Sequence, residues 1–139
     1  MNDSSRTLAA EADDRRLILI VDDEPSVRAM VQASIRARST RYVAIEVGTA
    51  MAALDEARER QPDLILLDVA LPDRDGFWVC GELKNDPSTA HIVVVMLTAM
   101  GLPTDRDQAM AVGADGYIVK PFSPRALLEE LDQRLLFSQ

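Results

Sequence analysis

Asp22, Asp23, Asp68, Thr98 and Lys120 are the residues of this chain whose types could do chemistry together, because each closes or follows a short apolar run. Leu17, Ile18, Leu19, Ile20 and Val21 lead into the Asp22-Asp23 pair, and Leu64, Ile65, Leu66 and Leu67 lead into Asp68. Residues 92–97 lead into Thr98 and Ala99, and Tyr117, Ile118 and Val119 lead into Lys120 and Pro121. Three carboxylates gathered at one place repel one another, and one lysine offsets a single charge. A hard divalent cation is the natural remedy, and magnesium accepts carboxylates, water and a phosphate oxygen. A carboxylate beside such an ion is a competent nucleophile toward phosphorus. A lysine, a hydroxyl and the metal could then hold the phosphoryl oxygens, where transition-state charge gathers. Taken singly, each residue has an ordinary role: a solvated acidic pair, a turn-capping aspartate, a β-branched strand end, a solvated lysine. Their order on four strand ends is what points to phosphoryl chemistry at Asp68.

The elements that must carry them read clearly. Short apolar runs bounded by turn residues, with helical patterns between, indicate buried parallel strands. In an open parallel α/β sheet, ligands bind beyond the carboxyl ends of the strands. Pro25 can open a first helix with Val27, Met30, Val31 and Ile35 at helical spacing. Residues 41–47 alternate Tyr42, Ala44 and Glu46 against Val43, Ile45 and Val47, which predicts a half-exposed edge strand. Thr49 can cap a second helix that points Met51, Leu54 and Ala57 inward and ends before Pro62. A turn-rich loop, residues 71–76, precedes a third helix from about Gly76 to Asn85, stopped by Asp86 and Pro87. The apolar run at 92–97 predicts a central strand, and residues 103–112 a helix closed by Gly113. Ser123 and Pro124 open a last helix with Leu127, Leu128, Leu131 and Leu135 on one face. Five βα units with right-handed crossovers follow: an α/β, doubly wound, five-stranded parallel sheet with helices on both faces.

Composition narrows the function classes. At 139 residues and 47% hydrophobic, the chain can bury one core without disulfides. The net charge of -8 argues against direct nucleic-acid contact or an anionic membrane surface. Cys80 is the only cysteine, which excludes a disulfide framework and a thiolate zinc site and suits a cytoplasmic protein. No apolar run approaches the ~18 residues of a membrane span, and the polar start shows no signal-peptide core. Residues 1–15 read as a mobile tail, with a helical tendency around 8–13, and residues 16–139 as one folded domain. Cys80 reads as a core thiol, His91 as a surface or strand-edge residue, and Trp78, beside Phe77, as a packing residue.

The motifs LIVDDEP at 19–25, LLDVALPDRDG at 66–76, MLTA at 96–99 and GADGYIVKPF at 113–122 fall in one order and spacing. On them the chain resembles the receiver domain of bacterial two-component response regulators, over about residues 16–136. The resemblance implies a flavodoxin-like strand order 2-1-3-4-5 and a phosphorylation-dependent signalling switch. Asp68 would be the phosphoacceptor, supplied by a histidine kinase or histidine phosphotransfer protein. Such a domain assists its own phosphotransfer and dephosphorylation without being an enzyme. Asp23, Asp68 and the backbone carbonyl of Ala70 would ligate Mg2+, with Asp22 acting through a bound water. Thr98 would bind a phosphoryl oxygen, Tyr117 would turn inward in response, and Lys120 would pair with the phosphoryl group. The Lys120–Pro121 bond would be cis, and a small Ala99 would leave the site accessible. Partners would read the face of helix 4, strand 5 and helix 5, through which Asp115 and Arg125 could also support a homodimer. The output would be a downstream protein partner or an effector domain outside this sequence, and the final helix suits both.

The chain departs from the more polar family pattern at Ala70 and Met100, which would flank the path of hydrolytic water. A slowly lost phosphoryl group is therefore expected. Other readings fit less well. A haloacid-dehalogenase-type phosphatase would carry its nucleophile in an Asp-x-Asp pattern after strand 1, where this chain has Asp22-Asp23-Glu24-Pro25. A flavodoxin-like carrier would need a Ser/Thr/Gly-rich phosphate loop there. A receiver used as a phosphorylation-independent interaction module would not need the intact acidic and lysine set.

Overall fold

The computed structural model describes residues 14–38, 40–99 and 103–136. Residues 1–13 of the expected tail, and Met100, lie outside the described residues. Strands and helices alternate as β1 (Arg16–Val21), α1 (Pro25–Arg36), β2 (Tyr42–Val47), α2 (Ala50–Arg60), β3 (Leu64–Asp68), α3 (Gly76–Asn85), β4 (Val93–Thr98), α4 (Pro103–Ala111), β5 (Gly116–Val119) and α5 (Pro124–Leu135). The strands form one parallel sheet in the order β2-β1-β3-β4-β5.

Strand periodicity sends alternate residues to opposite faces, and both faces are covered. Leu19, Val21, Ile65, Leu67, Val94 and Met96 pack beneath α2, α3 and α4. Ile18, Ile20, Leu64, Leu66, Val95 and Leu97 pack beneath α1 and α5, whose Val31, Ile35, Leu127 and Leu131 complete that core. The three inner strands are thus near-continuous apolar runs, as a doubly covered sheet requires. β2 does lie at the edge, but neither face is bare. Ile45 and Val47 pack against one core and Tyr42 and Ala44 against the other, leaving Glu46 exposed.

Local signals acted as read at most element ends. Pro25 occupies the first turn of α1. The Thr49 hydroxyl accepts from the Ala52 N–H at 3.2 Å, and the Ser123 hydroxyl from the Ala126 N–H at 3.0 Å. Gly113 follows α4 with a φ of 88°, a left-handed conformation that a side chain would strain. On α2, Leu54 and Ala57 face inward as expected, but Met51 does not. Met51 is 51% exposed, and Ala50, Ala53, Leu54 and Ala57 form the buried stripe. That i, i+3, i+4, i+7 set leaves position 51 roughly a quarter-turn off the core.

The minor residues settle as structural. Cys80 is fully buried, and burial pushes its thiol up to about 11. His91 is exposed, and Trp78 packs on the core with the Arg74 guanidinium 4.1 Å above its ring. Asp115 has internal partners: it accepts from Lys84 Nζ at 2.9 Å and from the Val94 N–H at 2.8 Å. Arg125 pairs with Glu129 at 3.4 Å, one turn along α5. Among the described residues no helix is long and apolar enough to cross a membrane.

Candidate functional site

Parallel register brings the strand ends to one level. Val21 lies beside Val47 and Leu67, Asp68 beside Leu97, and Thr98 beside Val119. Asp22 and Asp23 follow β1, Asp68 and Thr98 end β3 and β4, and Lys120 follows β5. The sheet thereby gathers the expected set at its C-terminal rim, where open α/β sheets bind ligands. Carboxylate oxygens of Asp22, Asp23 and Asp68 lie within 4.8 Å of one another. Asp22 is fully buried and Asp68 is 4% exposed, whereas Asp23 is open to solvent.

Lys120 crosses this cluster. Its Nζ donates to Asp22 Oδ2 at 2.8 Å, lies 3.3 Å from Asp68 Oδ2, and reaches Glu24 Oε1 at 3.7 Å. Burial works against its charge, but the Asp22 hydrogen bond and the charges of Asp68 and Asp22 outweigh it and hold the ammonium pKa above its ordinary value. Asp68 responds in the opposite sense to its surroundings. Burial first, then the Asp22 charge, raise its pKa to about 6, against the pull of Lys120 and the Ala70 N–H. The latter donates to Asp68 Oδ1 at 3.2 Å. A carboxylate cluster whose central member is held back from ionising is short of positive charge, which a divalent cation at the rim would supply.

A cavity of about 400 Å³ opens over the cluster. Asp23, Asp68, Ala70, Thr98, Ala99 and Lys120 line it, together with Glu24 and Asp105, which the sequence had not singled out. Asp22 is absent from the wall because it is wholly buried, its oxygens taken by Lys120 and the Glu24 N–H. The Lys120–Pro121 bond is cis, as the resemblance implies. Tyr117 lies toward α4: its hydroxyl accepts from Arg106 Nε at 2.7 Å, and the guanidinium stands 5.0 Å from the ring centre.

Two supports also went unread. The Asp73 carboxylate accepts from the Ala50 and Met51 N–H groups at 2.8 and 3.0 Å, tying the loop after Asp68 to the start of α2. Those hydrogen bonds hold its pKa below the usual carboxylate range. Arg28 Nη1 donates to the Asp22 carbonyl at 2.6 Å. The Asp73 contacts join residues far apart in sequence, and the Arg28 contact bridges the loop from β1 into α1, so no periodic pattern announces either.

The chain is similar to known proteins in sequence and in fold. The model for the response regulator receiver domain matches residues 18–132. The phosphate regulon transcriptional regulatory protein PhoB of Pseudomonas aeruginosa is 41% identical over 84% of this chain and 50% of its own length. The chemotaxis protein CheY4 of Vibrio cholerae superposes with a TM-score of 0.81 at 30% identity, covering 87% of this chain and 99% of its own. The receiver domain of the sensor histidine kinase PA1611 from Pseudomonas aeruginosa superposes with a TM-score of 0.78 at 28% identity, covering 86% and 97%. That receiver holds a magnesium ion in its active-site cleft. This chain belongs to the response regulator receiver domain family. It spans about half the length of the curated relatives it matches.

Proposed function

We propose that this domain is a phosphorylation-dependent switch that takes a phosphoryl group onto Asp68 from a histidine kinase or histidine phosphotransfer protein. The observation that carries this reading is the convergence of Asp22, Asp23, Asp68 and Lys120 at one rim, under one cavity. Asp23, Asp68 and the Ala70 carbonyl would hold Mg2+, with Asp22 acting through a bound water. Bound there, the ion neutralises the carboxylates and draws charge from the phosphoryl oxygens.

The chain's own residues do the rest. One Asp68 oxygen forms a bond to phosphorus while the bond from phosphorus to the donor's nitrogen or oxygen breaks. The leaving group keeps that electron pair, and Asp68 becomes an acyl phosphate. Lys120 moves from its carboxylate partners to a phosphoryl oxygen, and the Thr98 hydroxyl binds another. The new group adds nearly two charges and three acceptor oxygens, which favours the state that closes on it. Tyr117 then leaves Arg106 and turns inward, and the α4–β5–α5 face changes shape. A downstream partner, an effector domain or a second copy of the chain reads that face. Exposed Met110 and Val119 lie on it.

Beryllium fluoride with Mg2+, a stable mimic of the acyl phosphate, tests the switch. Hydrogen exchange should change over residues 98–122 and leave β1 and β3 unaltered. A bound mimic with no change on the α4–β5–α5 side would contradict the reading.

A further inference from the structure

Asp23 is the exposed member of the acidic cluster, and its side chain has no hydrogen bond or ion pair among the described residues. Its direction is therefore inherited from the backbone that leads into it. That backbone is held at every polar atom of Asp22. The Asp22 N–H donates to the Val47 carbonyl at 3.2 Å, continuing the ladder past the end of β1. Oδ1 accepts from the Glu24 N–H at 2.9 Å, and Oδ2 from Lys120 at 2.8 Å. The carbonyl, which belongs to the Asp22–Asp23 peptide plane, accepts from Arg28 Nη1 at 2.6 Å.

Arg28 is itself anchored. It sits one turn into α1, its side chain 22% exposed, and its Nε donates to Glu46 Oε1 on β2 at 3.1 Å. The guanidinium thus spans the edge strand and the loop with two donors of fixed relative geometry, which a lysine cannot reproduce. Its charge is answered by Glu46, so its effect on the acidic rim is geometric rather than electrostatic.

We propose that Arg28 is a positioning residue for the cation site: by pinning the Asp22 carbonyl it fixes the Asp22–Asp23 peptide plane and aims Asp23 at Asp68. This rests on the reading of the rim as a Mg2+ site. Groups that orient metal ligands from behind typically change affinity about 10–100-fold when removed.

The test compares the full chain with R28A, R28K and E46A. Calorimetry gives the Mg2+ dissociation constant, thermal unfolding gives stability, and the acetyl phosphate reaction gives the phosphorylation rate against Mg2+ concentration. R28A should weaken Mg2+ binding about tenfold or more, with R28K and E46A between it and the parent. At saturating Mg2+ the phosphorylation rate of each variant should return close to the parental one. Lowered stability with an unchanged Mg2+ constant in R28A would overturn the proposal and leave Arg28 a tie between α1 and β2. If R28A does not fold, R28K decides alone: a constant equal to the parent's overturns it, and a several-fold weaker one supports it. A parent chain that neither binds Mg2+ nor takes a phosphoryl group would overturn the site reading first, and this proposal with it.

Discussion

Asp68 has to be buried and charged at once. Burial and the neighbouring Asp22 raise its pKa to about 6 from the ordinary 3.8. With metal ions chelated, the folded chain therefore binds a proton more readily than the unfolded chain between those two values. The Asp68 contribution to stability must fall as pH rises through that window and level off above it. Asp68→Asn lacks the titration. Its melting temperature should match the parent's near pH 4, exceed it by several degrees by pH 6.5, and keep that margin above. Thermal scans in chelator check this; a margin independent of pH would show that the aspartate is not held back. Ala70 on the cavity wall, with Met100 in the sequence, offers no amide or acid to water. Ala70→Asn and Met100→Glu should each shorten the lifetime of the phosphorylated protein several-fold, followed by mass as the adduct decays. Lifetimes no shorter than the parent's would contradict the expectation of slow loss. At this scale the set Asp22, Asp23, Asp68, Thr98 and Lys120 was legible because each residue ends a strand. Arg28 and Asp73 were not: Arg28 reaches the Asp22 carbonyl from a helix anchored 18 residues away at Glu46, and Asp73 caps a helix start 23 residues away at Ala50.

At the scale of elements, two glycines separate backbone crowding from side-chain crowding. A Cβ at Gly76, the first residue of α3, would stand 2.1 Å from the Asp68 carbonyl oxygen, which cannot move without moving Asp68 itself. A Cβ at Gly116 would meet Arg134 Nη2 at 2.4 Å, the far end of a side chain that can swing away. Gly76→Ala should thus cost more stability than a lost helix cap, about 1 kcal/mol, and suppress phosphorylation. Gly116→Ala should leave phosphorylation near the parental rate. Denaturant unfolding and the rate of adduct formation separate the two. Between α4 and β5, the Arg106–Tyr117 contact holds the half-buried tyrosine against α4, so a state that moves it away must break that contact. Arg106→Ala should speed phosphorylation by acetyl phosphate several-fold; an unchanged rate would make the pair a surface contact alone. Element types and most ends were readable from Pro25, Thr49, Gly113 and Ser123. On α2, Leu54 and Ala57 were read correctly and Met51 was not, because alanine carries little hydrophobic signal. Ala50, Ala53 and Ala57 make the buried stripe, while the larger Met51 drew the reading outward.

Across the whole molecule, fold and site share one cause. A parallel sheet covered on both faces needs uninterrupted apolar strands, and such strands leave polar residues only at their ends. The run from Leu64 to Leu67 and the run from Val93 to Leu97 are therefore core and site support together. This is why the architecture could be read from the same residues as the chemistry. The edge strand was the exception: its alternation predicted a half-exposed strand, whereas Ile45 and Val47 meet one core and Tyr42 and Ala44 the other. The central claim is that this rim makes Asp68 a phosphoacceptor. Intact mass after incubation with acetyl phosphate and Mg2+, beside the same incubation with chelator and with Asp68→Asn, tests it most directly. The account predicts one phosphoryl adduct that requires Mg2+ and is absent in the variant. A folded chain with no adduct, or one that persists in Asp68→Asn, would contradict it.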